Sequence, residues 1–329
     1  MKSSARGRPV AAWVGAAASV ALLVRAAPAR AQACCTTTGS SEIGVVGRCH
    51  QGLLMAQASY EEALGSFDER GSYRSLEGSA ARDATLTLAG GVRPFGPALQ
   101  LYGALPLRVQ QRALAGIPEA TRAGAGDATA GARLMALEDR MAGIRLDEPT
   151  SLIPFLEPVV AVRLPSGRAP ADSRTPSQAD VTGEGAYALL GGVSIVKFLT
   201  LDESLSVTAT YGHRFAHRAG AAASGSRRYE PGAELDAKLA FFDVVDLHWS
   251  WTAFATGRWT AAAASDGRPV PASETRRIRV GIGGARYLTY PTWQLTASVA
   301  ADPPVSGLSQ GIPFAGASLA LGLRRSFPY

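Results

Sequence analysis

Along most of the chain, apolar and polar residues alternate with period two, which places successive side chains on opposite faces of an extended strand. The clearest run sets Leu205, Val207, Ala209 and Tyr211 against Ser204, Ser206, Thr208 and Thr210. A helix would scatter both sets around its axis. The pattern returns with Ala233, Leu235, Ala237 and Leu239 against Glu234, Asp236 and Lys238, and again from Val245 to Ala253. Further strands are expected over Leu54 to Leu64, Ala84 to Val92, Leu99 to Val109, Ala128 to Leu137, Leu156 to Leu164 and Tyr187 to Lys197. Ile278 to Tyr287, Trp293 to Val299 and Ala315 to Tyr329 follow them. The total is about twelve strands, many near the roughly ten-residue length that crosses a membrane when tilted.

The links between these strands alternate in length, as the turns and loops of outer-membrane barrels do. Compact links surround Arg93 to Pro97, Phe198 to Asp202, Asp243-Val244 and Leu288 to Pro291. Long polar links run over Pro165 to Gly183, Ala216 to Arg228, Thr260 to Glu274 and Ala301 to Ile312. Glu138 to Ser151 departs from this rule, being long where a short turn is expected. Alternation alone does not say which face is inside, because a soluble sandwich buries its apolar face whereas a membrane barrel turns that face to lipid. Aromatic residues at the short turns (Phe95, Phe198, Phe242, Tyr287, Tyr290 and Trp293) favour the membrane, as an interfacial girdle. So does the final strand, in which Leu319, Leu321, Leu323, Phe327 and Tyr329 share one parity. Phe327 and Tyr329 resemble the terminal signal recognised by the barrel assembly machinery, with Pro328 as a departure from that pattern.

The first residues carry a different signal. Lys2, Arg6 and Arg8 precede an uncharged apolar stretch from Val10 to Val24, and Ala29-Arg30-Ala31 offers small residues for cleavage, so residues 1–31 are expected to be a signal peptide for Sec-type export. The apolar stretch is short for a membrane helix. A lipoprotein alternative rests on Cys34 following Ala33, although Ala31-Gln32-Ala33 departs from the usual Leu-x-small pattern. Residues 32–51 are expected to form a periplasmic segment holding all three cysteines, with Cys49 pairing with Cys34 or Cys35 in an oxidising compartment, and residues 52–329 to form the barrel.

The net charge of +6 suggests a nucleic-acid partner only until its distribution is inspected. Lys2, Arg6, Arg8, Arg25 and Arg30 all precede the first acidic residue, Glu42; without these five the 33 basic residues become 28, against 27 acidic. The mature chain is nearly neutral, and no nucleic-acid partner is expected.

Four segments, Gly126-Asp127-Ala128-Thr129-Ala130-Gly131-Ala132-Arg133, Val162 to Gly167, Thr182 to Tyr187 and Tyr211-Gly212-His213-Arg214-Phe215, resemble the outer-membrane transporters associated with the meta-cleavage pathway of phenol degradation. The resemblance implies an all-β outer-membrane barrel that passes small apolar or aromatic compounds, without catalytic residues.

The polar parity contains Arg93, Arg108, Arg133, Glu157, Arg163, Glu234, Asp236, Lys238, Asp246, His248, Arg277 and Arg279. Such charges are costly against lipid, so they are expected to face the lumen, either as a salt-bridged filling or as the lining of a pore. Asp246, His248 and Ser250 fall at period two, and the His-x-Ser resembles that of outer-membrane phospholipases. That enzyme alternative is weakened because the pair lies on the polar parity and not toward lipid, where the substrate lies. His50, His213 and His217 have no metal-ligand spacing, and no metal or cofactor is expected. The sequence therefore points to a transmembrane antiparallel β-barrel of a Gram-negative outer membrane, in contact with its lipid and serving as a passive channel for a small solute. The alternative is a structural or surface-binding barrel without a pore.

Overall fold

The computed structural model describes residues 44–47, 50–139, 143–145, 147–219 and 227–329. The expected signal peptide (1–31) and the disulfide candidates Cys34, Cys35 and Cys49 lie outside the described residues. The wall starts with β1 (His50–Phe67), which carries a short partner, β2 (Tyr73–Ser75), in the loop that follows it. β3 (Ala80–Val92) and β4 (Leu99–Ala113) come next, and then a broken strand: β5 (Ala120–Ala125) and β6 (Ala128–Leu134) both pair with β4. β7 (Phe155–Leu164), β8 (Ala188–Phe198) and β9 (Glu203–Arg214) continue the meander. Two short strands, β10 (His217–Ala219) and β11 (Arg227–Glu230), precede β12 (Glu234–Val244) and β13 (Trp249–Thr260). β14 (Ala264–Ser265) and β15 (Arg268–Pro269) then join β10 and β11 in a separate small sheet. β16 (Thr275–Thr289), β17 (Trp293–Ala301) and β18 (Ile312–Pro328) complete the wall.

Each neighbouring pair is antiparallel, and β18 returns to pair with β1 from Pro328 opposite His50 to Ile312 opposite Phe67. With β5 and β6 as one stave, the result is the expected closed barrel of twelve strands. Closure leaves no row of unpaired backbone groups, which a hydrocarbon layer could not hydrate.

The alternation now has a direction. Leu54, Leu88, Val207, Leu239, Val280 and Leu321 are exposed on the outer face, Leu54 by 58% and Leu321 by 51%. The opposite parity is buried and polar: Gln100, Ser194, Glu234, Thr252 and Thr296 point inward. A soluble sandwich has the reverse arrangement. At the long-loop end the outer wall carries Tyr187, Tyr211 and Phe215; at the short-turn end it carries Trp249, Trp251, Trp293 and Phe327.

Two expectations need correction. Phe198 and Phe242 are buried on the inner parity, and Tyr287 is buried as well, so they are not part of the girdle. Phe198 meets Phe155 edge-on at 5.8 Å and Phe242 packs on Val244, giving the short-turn end of the lumen an apolar rim. The strand expected over Val245 to Ala253 begins only at Trp249, because the Asp246 carboxylate accepts the backbone N–H of His248 (2.6 Å) and of Trp249 (2.8 Å), making a side-chain-capped turn. The long link from 135 to 154 is structured where it is described: Leu137 bridges Leu156, and the fully buried Asp139 side chain accepts from Lys197 Nζ at 2.7 Å and from the Phe198 N–H at 3.1 Å.

The facing predicts unequal tolerance of charge. Leu86→Arg, on the lipid side, is expected to cost about 2–4 kcal/mol, and Thr87→Arg, one residue on and facing the lumen, much less. Urea unfolding in lipid vesicles measures both; equal losses would contradict the facing.

Candidate functional site

The barrel encloses a lumen with three chemically distinct layers. At the long-loop end, strands and loops contribute opposed charges. Arg163 on β7 donates to Glu234 on β12 at 3.0 Å and lies 3.5 Å from Glu184 in the 165–187 loop. Arg214 at the end of β9 donates to the same Glu184 at 2.8 Å, and Arg258 on β13 to Asp236 on β12 at 2.6 Å. Across the lumen, Arg277 on β16 donates to both oxygens of Asp302 (2.8 and 2.7 Å) and to Glu61 on β1, which also receives Arg279 at 3.0 Å. Glu234 and Asp302 are almost wholly buried, and a buried carboxylate persists only when paired. Burial raises the Glu184 carboxyl, but Arg163 and Arg214 outweigh it and hold it below its ordinary value.

The loop from 165 to 187 is itself locked. The Asp127 carboxylate, at the break between β5 and β6, accepts the N–H of Gly167 (2.9 Å) and of Glu184 (2.7 Å). Asp180 accepts from the Ser173 hydroxyl, Thr175 hydroxyl, Arg174 N–H and Arg168 guanidinium. Burial raises its carboxyl, but these four donors dominate and leave it far below the usual carboxylate range.

The middle layer is made mostly of small side chains, with two cations, Arg108 opposite Thr85 and Lys238 opposite Thr208. Ser59, Thr85, Thr129, Thr208, Gly283 and Ser298 share the inner parity there, and Ser194 and Thr208 are joined at 3.1 Å. Lys238 lies in this layer, 5.9 Å from the Phe254 ring centre.

At the short-turn end, residues 44–47 enter the barrel and are buried. Their carbonyls are held from three sides: Gln100 Nε2 donates to Gly44 O at 2.8 Å, Arg324 to Val45 O at 3.1 Å and Arg93 to Val46 O at 3.0 Å. Gly91 makes this seat possible, because a Cβ there would stand 2.6 Å from Gly44 O and 2.8 Å from Val46. These residues belong to the segment expected ahead of the barrel.

The structure brings Arg163, Glu234, Asp236, Arg277 and Arg279 together in the charged layer. Arg133 and Glu157 face each other at 3.9 Å, with Arg133 also over Tyr102. Arg93 anchors the inserted segment from the turn after β3. Arg108 points inward, and among the described residues it has no hydrogen-bond or ion-pair partner. Asp246 and His248 do not line the lumen; both lie in the turn before β13, and this removes the period-two alignment of Asp246, His248 and Ser250 on one strand face. Several functional side chains were missed: Glu61, Glu184, Arg214, Arg258, Asp302 and Arg324. Arg214 and Arg258 carry the inner parity of β9 and β13 but stand beyond the expected strand ends. Glu184 and Asp302 sit in loops, where no periodicity exists.

Two outcomes are expected. Asp302→Ala leaves Arg277 without its buried partner and destabilises the barrel by about 3–5 kcal/mol, whereas Arg228→Ala, which breaks the exposed pair with Glu230, changes stability by less than about 1 kcal/mol. Urea unfolding in vesicles compares them. For the loop, the depressed Asp180 value means that its stabilising contribution declines as pH falls toward the lower folded value and is complete above the ordinary aspartate value of about 3.9. Limited proteolysis of the 165–187 loop should therefore stay slow down to about that pH, and Asp180→Asn should make it fast at neutral pH.

No family model matches the sequence, and no curated protein matches it. Among solved structures the chain is similar to an outer-membrane channel from Pseudomonas putida F1, with a TM-score of 0.67 and 14% identity over 88% of this chain and 100% of that one. It is also similar to the transport unit of the autotransporter AIDA-I from Escherichia coli (TM-score 0.46, 9% identity, 90% and 96% covered). A third is the CymD monoaromatic hydrocarbon channel (TM-score 0.44, 7% identity, 85% and 90% covered). The likeness to the Pseudomonas protein shows the fold, a closed β-barrel of outer-membrane type.

Proposed function

We propose that the protein spans the outer membrane of a Gram-negative bacterium and gives passive passage to small, weakly polar or apolar solutes, aromatic compounds of the kind handled in phenol degradation among them. The observation that carries this is the middle of the lumen: small hydroxyl, alanine and glycine positions surround it, while most of the charge is tied into pairs nearer the long-loop end. A solute held by many fixed charges would be slowed; a weakly polar one meets little to bind. The channel nature of the Pseudomonas neighbour supports the same reading. Export by residues 1–31, insertion through Phe327 and Tyr329 by the assembly machinery, and a disulfide among Cys34, Cys35 and Cys49 complete the proposal.

A second reading, a barrel without a conducting pore, is favoured by one feature, the 44–47 segment seated across the short-turn end. Planar-bilayer conductance and liposome swelling distinguish the two. The double variant R93A/Q100A removes two of the three donors that hold the segment, and several-fold larger single-channel steps are expected. Silence in both the wild type and this variant, with the barrel folded, would support the poreless reading.

A further inference from the structure

The outer wall carries a groove of about 690 Å³ across β18, β1, β3 and β4, with Trp293 of β17 at one side. That volume falls in the roughly 300–1,000 Å³ range of small-molecule sites. Its floor is made of small residues: Gly90 and Gly103 pair directly across β3 and β4, and Ala56 lies beside them. A side chain at Gly103 would meet nothing closer than 3.6 Å. Leu54, Leu88, Leu105 and Leu323 form the walls. The rest of the lipid face on these strands is mostly leucine and valine, so the glycine pair leaves a trough where the wall is otherwise filled.

On the same rung as Leu54, Gly90 and Gly103, near the short-turn end of the wall, stands Arg325. It shares the outward parity of Leu319, Leu321 and Leu323, where a charge is unfavourable unless something answers it. Its guanidinium lies 5.4 Å from the Trp293 ring centre and 5.0 Å from that of Phe327. Both rings lie within cation–π distance of it. Among the described residues its N–H groups meet no acceptor. A fork of donors with no carboxylate nearby, on the lipid side and next to an interfacial tryptophan, matches an anionic phosphate.

We propose that this groove is a binding site for one glycerophospholipid, with an acyl chain lying over Gly90 and Gly103 and the phosphate held by Arg325. The short turns of such barrels face the periplasm, so the site opens to the inner leaflet, which is built of glycerophospholipid. The inference rests on the placement in the outer membrane and not on solute passage.

The test uses the full-length protein extracted in a mild non-ionic detergent and titrated with dioleoyl phosphatidylglycerol, bound lipid being counted by native mass spectrometry. The wild type is expected to retain one phospholipid, R325Q to bind it about tenfold more weakly, and Gly103→Leu to lose it by filling the trough. Dioleoylglycerol, which has the same chains and no phosphate, should bind the wild type and R325Q alike. A wild type that retains no phospholipid, or variants that bind as it does, would overturn the proposal, as would a second copy of the chain in place of lipid. Heat modifiability on a gel shows separately whether each variant forms a barrel. Should either fail to fold, a photoactivatable phosphatidylglycerol on the wild type decides: crosslinks at 54–56, 88–90 or 103–105 support the site, and crosslinks spread evenly around the wall refute it.

Discussion

Closure of β18 on β1 is the constraint from which the rest of the structure follows. A chain crossing hydrocarbon must satisfy every backbone N–H and C=O internally, and a sheet can do so only when its two edge strands meet. The ladder running from His50 opposite Pro328 to Phe67 opposite Ile312 joins the first strand of the wall to the last, so no stave is stable by itself. Once the ring is closed, parity becomes facing. Each strand sends one set of side chains to lipid and the other inward, and inward positions alone can carry polar groups without an energetic penalty of several kcal/mol.

The lumen shows how the inward set is divided. Charged residues gather at the long-loop end, where arginines on β7, β9, β13 and β16 meet carboxylates on strands, in the 165–187 loop and at Asp302. A network of this kind ties distant staves together, since Glu61 of β1 and Asp302 after β17 both hold Arg277. The middle is left to small residues, with Arg108 and Lys238 among them. The short-turn end is narrowed by residues 44–47 and by the aromatic side chains of Phe155, Phe198 and Phe242. Structure and proposed passage meet here: the wall is fixed by closure, while the openings at its two ends are set by the 165–187 loop and by the inserted segment.

The strand number and the chemistry of each face were legible because they depend only on a local period of two, which Leu205 to Tyr211 displays without any knowledge of the fold. Strand ends were less legible, because side-chain-capped turns override the period. Asp246 looks like one more inward residue in sequence, yet its carboxylate closes the turn that ends the ladder. The aromatics at the turns were read from position alone, whereas parity sends Phe198 and Phe242 inward and leaves Trp249 and Trp251 to the interface. Arg163, Glu234, Arg277 and Arg279 were visible as inward charges. Their partners Glu184 and Asp302 were not, because a loop carboxylate has no periodic signature and its contact is made across the fold. The seating of residues 44–47 left only one trace, Gly91 on the inner face, whose meaning depends on what lies against it.

The central claim, that polar positions face an aqueous lumen and apolar positions face lipid, is tested most directly by single cysteines at 204–211 along β9. The background would carry serine in place of Cys34, Cys35 and Cys49, and the protein would be reconstituted in vesicles and exposed to a small, charged thiol reagent. The account predicts labelling that alternates, with positions 204, 206, 208 and 210 reactive and positions 205, 207, 209 and 211 protected. The opposite alternation, with positions 205, 207, 209 and 211 reactive and the polar positions protected, would contradict this facing, and uniform labelling would mean that no lipid face exists.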